Sequence, residues 1–137
     1  MKLFLSFILL VTVSQFIWLQ QNKPLKESML RGNEVYTDFC VQCHLENGEG
    51  IESVFPPLSN SDYLLNNIEE SIYAIKYGME GPIKVNGQLY NGVMVSQGLD
   101  SEEIADVMNF ILNSWGNMPN DEFVTPGKVN QIGKQLP

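Results

Sequence analysis

The stretch Cys40-Val41-Gln42-Cys43-His44 decides how the rest of this chain can be interpreted. Two cysteines separated by two residues and followed at once by a histidine form the attachment motif of a c-type haem. Each thiol can form a thioether to one vinyl group of the porphyrin, and His44 follows where it can bind the iron from one face. We therefore predict one haem c, attached covalently through Cys40 and Cys43, with His44 as an iron ligand.

The same motif is compatible with other kinds of site. A thioredoxin-like dithiol normally follows a strand in a βαβ pattern, and no such strand pattern precedes Cys40. A structural zinc site needs four ligands. The motif holds the only two cysteines and the only histidine of the chain, so carboxylates far away in the sequence would have to complete a zinc site. A disulfide between Cys40 and Cys43 would close a very small, strained loop, but a disulfide or redox dithiol stays an alternative to haem.

The N-terminal segment, residues 1–26, differs in composition from the rest of the chain. Lys2 is followed by an apolar run over residues 3–19 and then by polar residues up to Pro24. This pattern is typical of a signal peptide, or of an N-terminal membrane anchor followed by a linker, and both interpretations stay open. Either one predicts an exported domain that is periplasmic or faces the periplasm. An uncleaved segment would tether that domain to the inner membrane.

The remaining residues, 27–137, are predicted to form one acidic domain. From Ser28 onward the chain has five basic and fifteen acidic residues, a net charge of −10. This charge argues against nucleic acid or an anionic membrane surface as a partner. It favours redox protein partners with a basic docking face, although an acidic surface can also serve solubility alone. We expect the domain to be a monomer.

The spacing of apolar residues predicts an all-α domain with long loops. Helices are expected over residues 28–41, 62–65, 68–77, 100–115 and, in the tail, after Thr125-Pro126. Asp100 and Glu103 form a capping box at the start of the longest of the later helices. The segments 46–57 and 81–99 are expected to be mostly loop. Loops of this length need an apolar group to pack against, and a porphyrin would supply it.

A second axial iron ligand cannot be histidine, since the chain has only His44. Methionine is the natural alternative, because its soft thioether favours ferrous iron and raises the reduction potential. Met94 is the preferred candidate, because it ends a glycine-containing loop just before the helix that starts near Asp100. Met79, Met118 and an iron without a second protein ligand stay open as alternatives, whereas Met108 is predicted to be a core residue.

These residues together resemble class I cytochrome c over nearly all of the chain after Glu27. Gly32 and Tyr36 match the positions where the first helix of that family crosses the last, and Phe110 matches the aromatic residue that meets them. The resemblance implies the cytochrome c fold, in which helices and long loops wrap around one covalently bound haem.

The resemblance also assigns roles to residues outside the CxxCH motif. Pro56 and Leu58 match the proline-x-leucine that follows the haem histidine in the family. By that likeness, the Pro56 carbonyl accepts a hydrogen bond from the His44 ring, and Leu58 packs on the haem. Met94 matches the distal methionine of the family. The haem-binding set that results is Cys40, Cys43, His44, Pro56, Leu58 and Met94, with His44 and Met94 on the iron.

A narrower likeness is carried by residues 81–94 and 113–117 and by Val124-Thr125-Pro126. These stretches are similar to small bacterial monohaem cytochromes c and to c-type domains appended to respiratory oxidases and copper nitrite reductases. The chain departs from the family pattern at Val95-Ser96, where prolines are common.

The resemblance implies a one-electron carrier that shuttles electrons between respiratory-chain or other redox partners. We find no acid–base or nucleophile constellation, so we predict no catalytic residue and no enzyme activity. One alternative is a dedicated electron-entry subunit of an oxidoreductase complex. Another is a ligand-binding haem sensor or peroxidase-like protein, which would require that Met94 does not hold the iron.

Overall fold

The computed structural model describes residues 24–119 and 123–133. In chain order the elements are α1 (24–39), α2 (Val41–His44), α3 (Asp62–Asn66), α4 (Ile68–Tyr77), β1 (Met79–Val85), β2 (Gln88–Met94), α5 (Ser101–Leu112) and α6 (Pro126–Gln131). The predicted helical fold is confirmed, with one small hairpin added to it. Within the described ranges, no helix is long and apolar enough to cross a membrane. The predicted signal peptide or anchor lies almost wholly outside those ranges.

The helices α1 and α5 cross in close contact at Gly32. A Cβ atom added to Gly32 would lie 2.0 Å from the carbonyl oxygen of Asp106 and 2.8 Å from Cβ of Phe110. The ring centroids of Tyr36 and Phe110 are 5.4 Å apart. The crossing predicted from Gly32, Tyr36 and Phe110 is therefore confirmed, and it places Cys40, which directly follows α1, beside the core.

The helix α5 begins as predicted and ends earlier. The Asp100 side chain accepts hydrogen bonds from the backbone N–H groups of Glu102 and Glu103, and the Glu103 carboxylate accepts one from the Asp100 N–H. This is the predicted capping box. Trp115, the last residue of the predicted helix range, lies beyond the end of α5 with a φ of 53°. Its ring packs against Tyr36 at a centroid distance of 5.0 Å, so aromatic packing there overrides the helical period.

The segment that we predicted as loop, residues 81–99, contains most of an antiparallel hairpin. Asn86 and Gly87 form its two-residue turn, with φ angles of 51° and 85°. An Asn-Gly pair favours this turn, because both central residues need positive φ. That signal stands in the sequence, but Pro82 and two glycines weaken the strand pattern around it. The loop prediction was wrong for this reason.

The C-terminal segment packs back onto α4 and α5. Thr125 caps α6 by accepting a hydrogen bond from the Lys128 N–H at 3.1 Å, as predicted from Thr125-Pro126. The Asn109 side chain pairs with both the N–H and the carbonyl of Val124, each at 2.9 Å. Asn109 and Val124 are fully buried, so these bonds anchor the start of the tail.

Candidate haem site

Cys40 lies between α1 and α2, and Cys43 and His44 form the end of α2. Cys40 is buried, Cys43 is exposed, and both are unpaired thiols. Burial, with a smaller contribution from Cys43, raises the pKa of the Cys40 thiol to about 11. The two sulfur atoms therefore have different surroundings: one faces the core and the other faces the surface.

The loop after His44 folds back so that a carbonyl group meets the imidazole ring. The Gly50 N–H donates to the His44 carbonyl at 3.0 Å, and the Leu58 N–H donates to the Gly48 carbonyl at 2.7 Å. Gly50 has a φ of 65°, and a Cβ atom there would lie 2.4 Å from the Phe55 carbonyl oxygen, so only glycine fits. These contacts bring the Pro56 carbonyl oxygen to 3.0 Å from Nδ1 of His44.

The contact between His44 and Pro56 determines the tautomer of the ring. A carbonyl oxygen can only accept a hydrogen bond, so Nδ1 carries the proton and Nε2 keeps its lone pair. Burial lowers the pKa of His44, while the hydrogen bond to Pro56 opposes this shift to a smaller extent. A neutral ring with its orientation held through Nδ1 is the form that binds a metal ion through Nε2.

Two adjoining cavities open next to His44. The inner one reaches the core and is lined by residues that include Cys40, His44, Pro56, Leu58, Leu64, Ile75, Ile83, Val85, Met94, Met108 and Ile111. The outer one opens to the surface and is lined by residues that include Cys43, His44, Val54, Pro56, Ile83, Tyr90, Val93, Met94 and Val95. Because His44, Pro56, Met79, Ile83 and Met94 line both cavities, we treat the two as a single crevice, most of it apolar.

The hairpin forms one wall of this crevice. In its register Met79 is opposite Met94, and Gly81 is opposite Gly92. Directly opposed residues of an antiparallel pair point to the same face, with Cβ atoms about 4.5–5.5 Å apart. Both methionines therefore face the crevice, and the glycine pair next to them leaves that part of the wall without side chains.

The structure brings all six predicted haem-binding residues into this one crevice. Cys40, His44, Pro56, Leu58 and Met94 line its inner part, and Cys43 lines its outer part. Met108 is fully buried in the core and contributes to the inner wall, whereas Met118 is 83% exposed.

Two features of the crevice were missed or undervalued in the sequence. Met79 was considered only as a weaker ligand candidate, but the strand register puts it directly opposite Met94. Ile83 lines both parts of the crevice and was not singled out. The Asn-Gly turn was the signal that could have revealed both, because it sets the register of the two strands.

These surroundings fit a haem. Two thiols precede the histidine in the chain, and one lines the inner part of an apolar crevice while the other lines its outer part. The donors that face the crevice are an imidazole nitrogen and thioether sulfurs, a donor set that suits haem iron. Among the described residues, no group of three or more His, Cys, Asp or Glu side chains could hold a metal ion. The donor set therefore agrees with haem better than with the zinc alternative.

Comparison with known proteins gives the same classification. The family model described as Cytochrome c matches residues 29–115. Cytochrome c-552 of Thermus thermophilus is 37% identical over 108 residues, which cover 75% of this chain and 82% of that protein.

This chain is also similar to a second kind of protein, of which it matches only a small part. The cytochrome c subunit of the quinone alcohol dehydrogenase of Gluconacetobacter polyoxogenes is 32% identical over 90 residues. The corresponding subunit of Gluconobacter oxydans is 30% identical over 90 residues. The matched regions cover 63% of this chain in both cases, but only 19% and 18% of those subunits.

Proposed function

The chain belongs to the cytochrome c family and transfers electrons through a covalently bound haem c, and from this premise we propose that His44 and Met94 are its two axial iron ligands. Cys40 and Cys43 would form the thioethers, Pro56 would orient the His44 ring, and Leu58 would pack on the porphyrin. The observation that carries this proposal is that Met94 lines both parts of the crevice, as His44 does, and also packs against the hydrophobic core.

The choice of Met94 over Met79 rests on packing. Both side chains face the crevice and both are partly buried, but Met94 packs against the hydrophobic core and Met79 is not among the residues packed there. Met79 also lines an open groove formed by Tyr63, Glu69 and Tyr73, away from both cysteines. A side chain supported by the core loses less conformational entropy when it becomes an iron ligand.

The residues of the crevice suit an electron carrier. When bound, a haem c supplies a one-electron Fe(II)/Fe(III) couple. The His44–Pro56 hydrogen bond holds the imidazole in a fixed orientation, and the thioether of Met94 favours the ferrous state. The mostly apolar lining of the inner crevice would disfavour the extra charge of the ferric state. With both axial positions taken by side chains, no position stays open for a substrate, so we propose that the chain is a carrier and not an enzyme.

A pair of matched variants tests the ligand assignment. We expect Met94→Ala to lose the methionine–iron charge-transfer band, to lower the reduction potential and to bind carbon monoxide in the reduced state, while the haem stays covalently attached. Met79→Ala, its cross-strand neighbour, should keep the band. If the band is lost in Met79→Ala and kept in Met94→Ala, the assignment is wrong. Rapid and complete carbon monoxide binding by the unaltered reduced protein would instead favour a sensor or peroxidase-like role.

We propose that redox partners dock at the opening of the crevice beside Cys43. Val54, Val93 and Val95 line this opening and are 53%, 70% and 69% exposed. Glu80 lies directly opposite Val93 in the hairpin, so negative charge borders the apolar patch. A partner with an apolar centre and basic residues around it would fit this surface.

The sign of the docking charge can be measured with small inorganic reagents. We expect electron exchange with a cationic hexaammine complex to slow as ionic strength rises, and exchange with anionic ferricyanide to become faster. The opposite trends would mean that the surface next to the crevice is not negative, and would remove the argument for a basic partner.

A second candidate function is that of a dedicated electron-entry subunit of an oxidoreductase. It is favoured by the relatives that are cytochrome c subunits of quinone alcohol dehydrogenases. Such a subunit would co-purify with its enzyme and stay bound at raised salt. A free carrier would bind its partners only weakly and in a salt-sensitive way, and it would elute as a monomer.

We also propose that residues 1–26 direct export and that residues 27–137 form the haem domain, periplasmic or facing the periplasm. The support is the apolar run over residues 3–19 and the attachment of c-type haem outside the cytoplasm. The mass of the native protein tests both points at once: it should include one haem, and it shows whether the N-terminal segment is cleaved or kept as a tether. A mass without haem would contradict the proposal.

A further inference from the structure

We propose that Ser96 is a positioning residue for the axial ligand: its hydroxyl anchors the chain directly after Met94 to the C-terminal end of α4. This inference rests on the proposed function, because it assumes that Met94 binds the iron. It concerns how the chain holds Met94 in place, which the identity of the ligands leaves open.

The segment after Met94 makes hydrogen bonds to the last turn of α4. The Ser96 hydroxyl donates to the Lys76 carbonyl at 2.8 Å, and the Gln97 N–H donates to the Ile75 carbonyl at 3.2 Å. The last carbonyl groups of a helix have no partner within the helix. The segment therefore supplies partners that these carbonyls would otherwise take from water.

Gly78 allows this segment to approach the helix end closely. A Cβ atom at Gly78 would lie 2.8 Å from the Met94 carbonyl oxygen and 3.1 Å from the Ser96 nitrogen, and its φ is +85°. Glycine is therefore required here both by conformation and by space. The backbone of Met94 is held from one side by its pairing with Met79 and from the other by the contacts at Ser96.

Burial contributes little to holding the segment in place. Val95 is 69% exposed, and Ser96 is exposed as well. A segment with so little buried apolar area depends on its hydrogen bonds for order. The hydroxyl of Ser96 also accepts from the Gly98 N–H at 3.5 Å, so it connects the helix end to the next turn of the chain.

The anchor point is itself fixed to the rest of the domain. The ammonium group of Lys76 donates to the carbonyls of Val129 and Ile132, at 2.8 and 2.9 Å, at the end of α6. The Lys76 carbonyl thus accepts a hydrogen bond from the Ser96 hydroxyl, and the Lys76 side chain donates hydrogen bonds to the end of α6. Ser96 is therefore hydrogen-bonded to a residue that is itself connected to the C-terminal segment.

Loss of the hydroxyl should make Met94 easier to displace from the iron. One hydrogen bond contributes roughly 0.5–1.5 kcal/mol, and every 1.4 kcal/mol is a factor of ten. We therefore expect the reduced Ser96→Ala protein to bind carbon monoxide about 2- to 10-fold faster than the unaltered protein. The methionine–iron band should also disappear at a lower temperature on heating, while covalent haem content stays the same.

Two further variants separate positioning from general stability. Ser96→Thr keeps a hydroxyl and should restore slow carbon monoxide binding. Thr37→Val is a matched control. It removes an exposed hydroxyl of α1 that donates to the Asn33 carbonyl at 2.8 Å, the same distance as between the Ser96 hydroxyl and the Lys76 carbonyl. We expect this control to leave carbon monoxide binding unchanged.

The outcomes distinguish this inference from the ligand assignment. If the unaltered protein lacks the methionine–iron band, Met94 is not the ligand and both proposals fall. If the band is present and Ser96→Ala binds carbon monoxide as slowly as the unaltered protein, only the role of Ser96 is refuted. An equal acceleration in Thr37→Val would also refute it, because the effect would then reflect stability alone.

Discussion

Replacing Gly32 by alanine tests the helix crossing that places the attachment motif beside the core. The added Cβ atom would lie 2.0 Å from the Asp106 carbonyl oxygen, whereas ordinary contacts begin at 3.4 Å, so α1 and α5 would have to separate by about 1.4 Å. The obstacle is backbone, which cannot rotate away as a side chain can. The separation would also pull Tyr36 away from Phe110.

The expected free-energy change has two opposing parts. Alanine has a higher helix propensity than glycine, and this favours the variant by about 1 kcal/mol. Overpacking costs about 1–3 kcal/mol and sometimes more, and a weakened aromatic pair adds about 0.5–1.5 kcal/mol. Because the clash is with backbone, we take the upper part of the overpacking range. We expect Gly32→Ala to lower the free energy of unfolding by about 2 kcal/mol or more.

Denaturant unfolding of the haem-loaded protein measures this change, and Gly127→Ala is a matched control. Gly127 lies in the first turn of α6, is exposed, and a Cβ atom there would meet only the Thr125 hydroxyl at 3.6 Å. The same substitution should therefore be neutral or slightly stabilising at that position. If Gly32→Ala proves as stable as the unaltered protein, the two helices do not cross as closely as described.

Two more predictions concern buried hydrogen bonds. Tyr36→Phe removes the 2.7 Å bond to the Leu45 carbonyl and should cost about 1 kcal/mol at neutral pH. Burial raises the pKa of Tyr36, so the unfolded phenol ionises first as pH rises above about 10, and only the unaltered protein loses that stability. The difference between the two in denaturant titrations should shrink at that pH; a constant difference would contradict the burial argument. Asn109→Ala leaves the buried N–H and carbonyl of Val124 unpaired. It should cost about 2–4 kcal/mol and speed tryptic cleavage at Lys128, whereas unchanged cleavage would mean that Asn109 does not anchor the tail.

Several helices could be predicted because their determinants are local. The helix α4 spans Ile68–Tyr77, the predicted range, and Gly78 directly follows its last residue. The capping box of α5 and the Thr125 cap of α6 were also predicted correctly. In each case a cap or stop residue lies within a few positions of the helix that it ends.

Other features could not be predicted because they depend on contacts between distant segments. The first helix is already helical at residue 24, earlier than the predicted start at Ser28. Leu30 and Phe39, which apolar character alone would place in the core, are 62% and 45% exposed. Trp115 leaves the helical pattern to pack on Tyr36. Apolar character alone does not show which face of α1 meets α5; only the family resemblance at Gly32, Tyr36 and Phe110 indicated that face.

The sequence by itself determined the chemistry of this protein, and the tertiary structure decided its geometry. Cys40, Cys43 and His44 are adjacent in the chain, so a short motif specified the cofactor. The contact of His44 with Pro56 was implied by family resemblance, and the loop between them brings the two atoms to 3.0 Å. Only the pairing of β1 with β2 places Met79 opposite Met94. Only the folded end of α4 brings the Lys76 carbonyl to Ser96. Such contacts join residues far apart in sequence, and they form only when burial of the core has offset the entropy of closing the intervening loops.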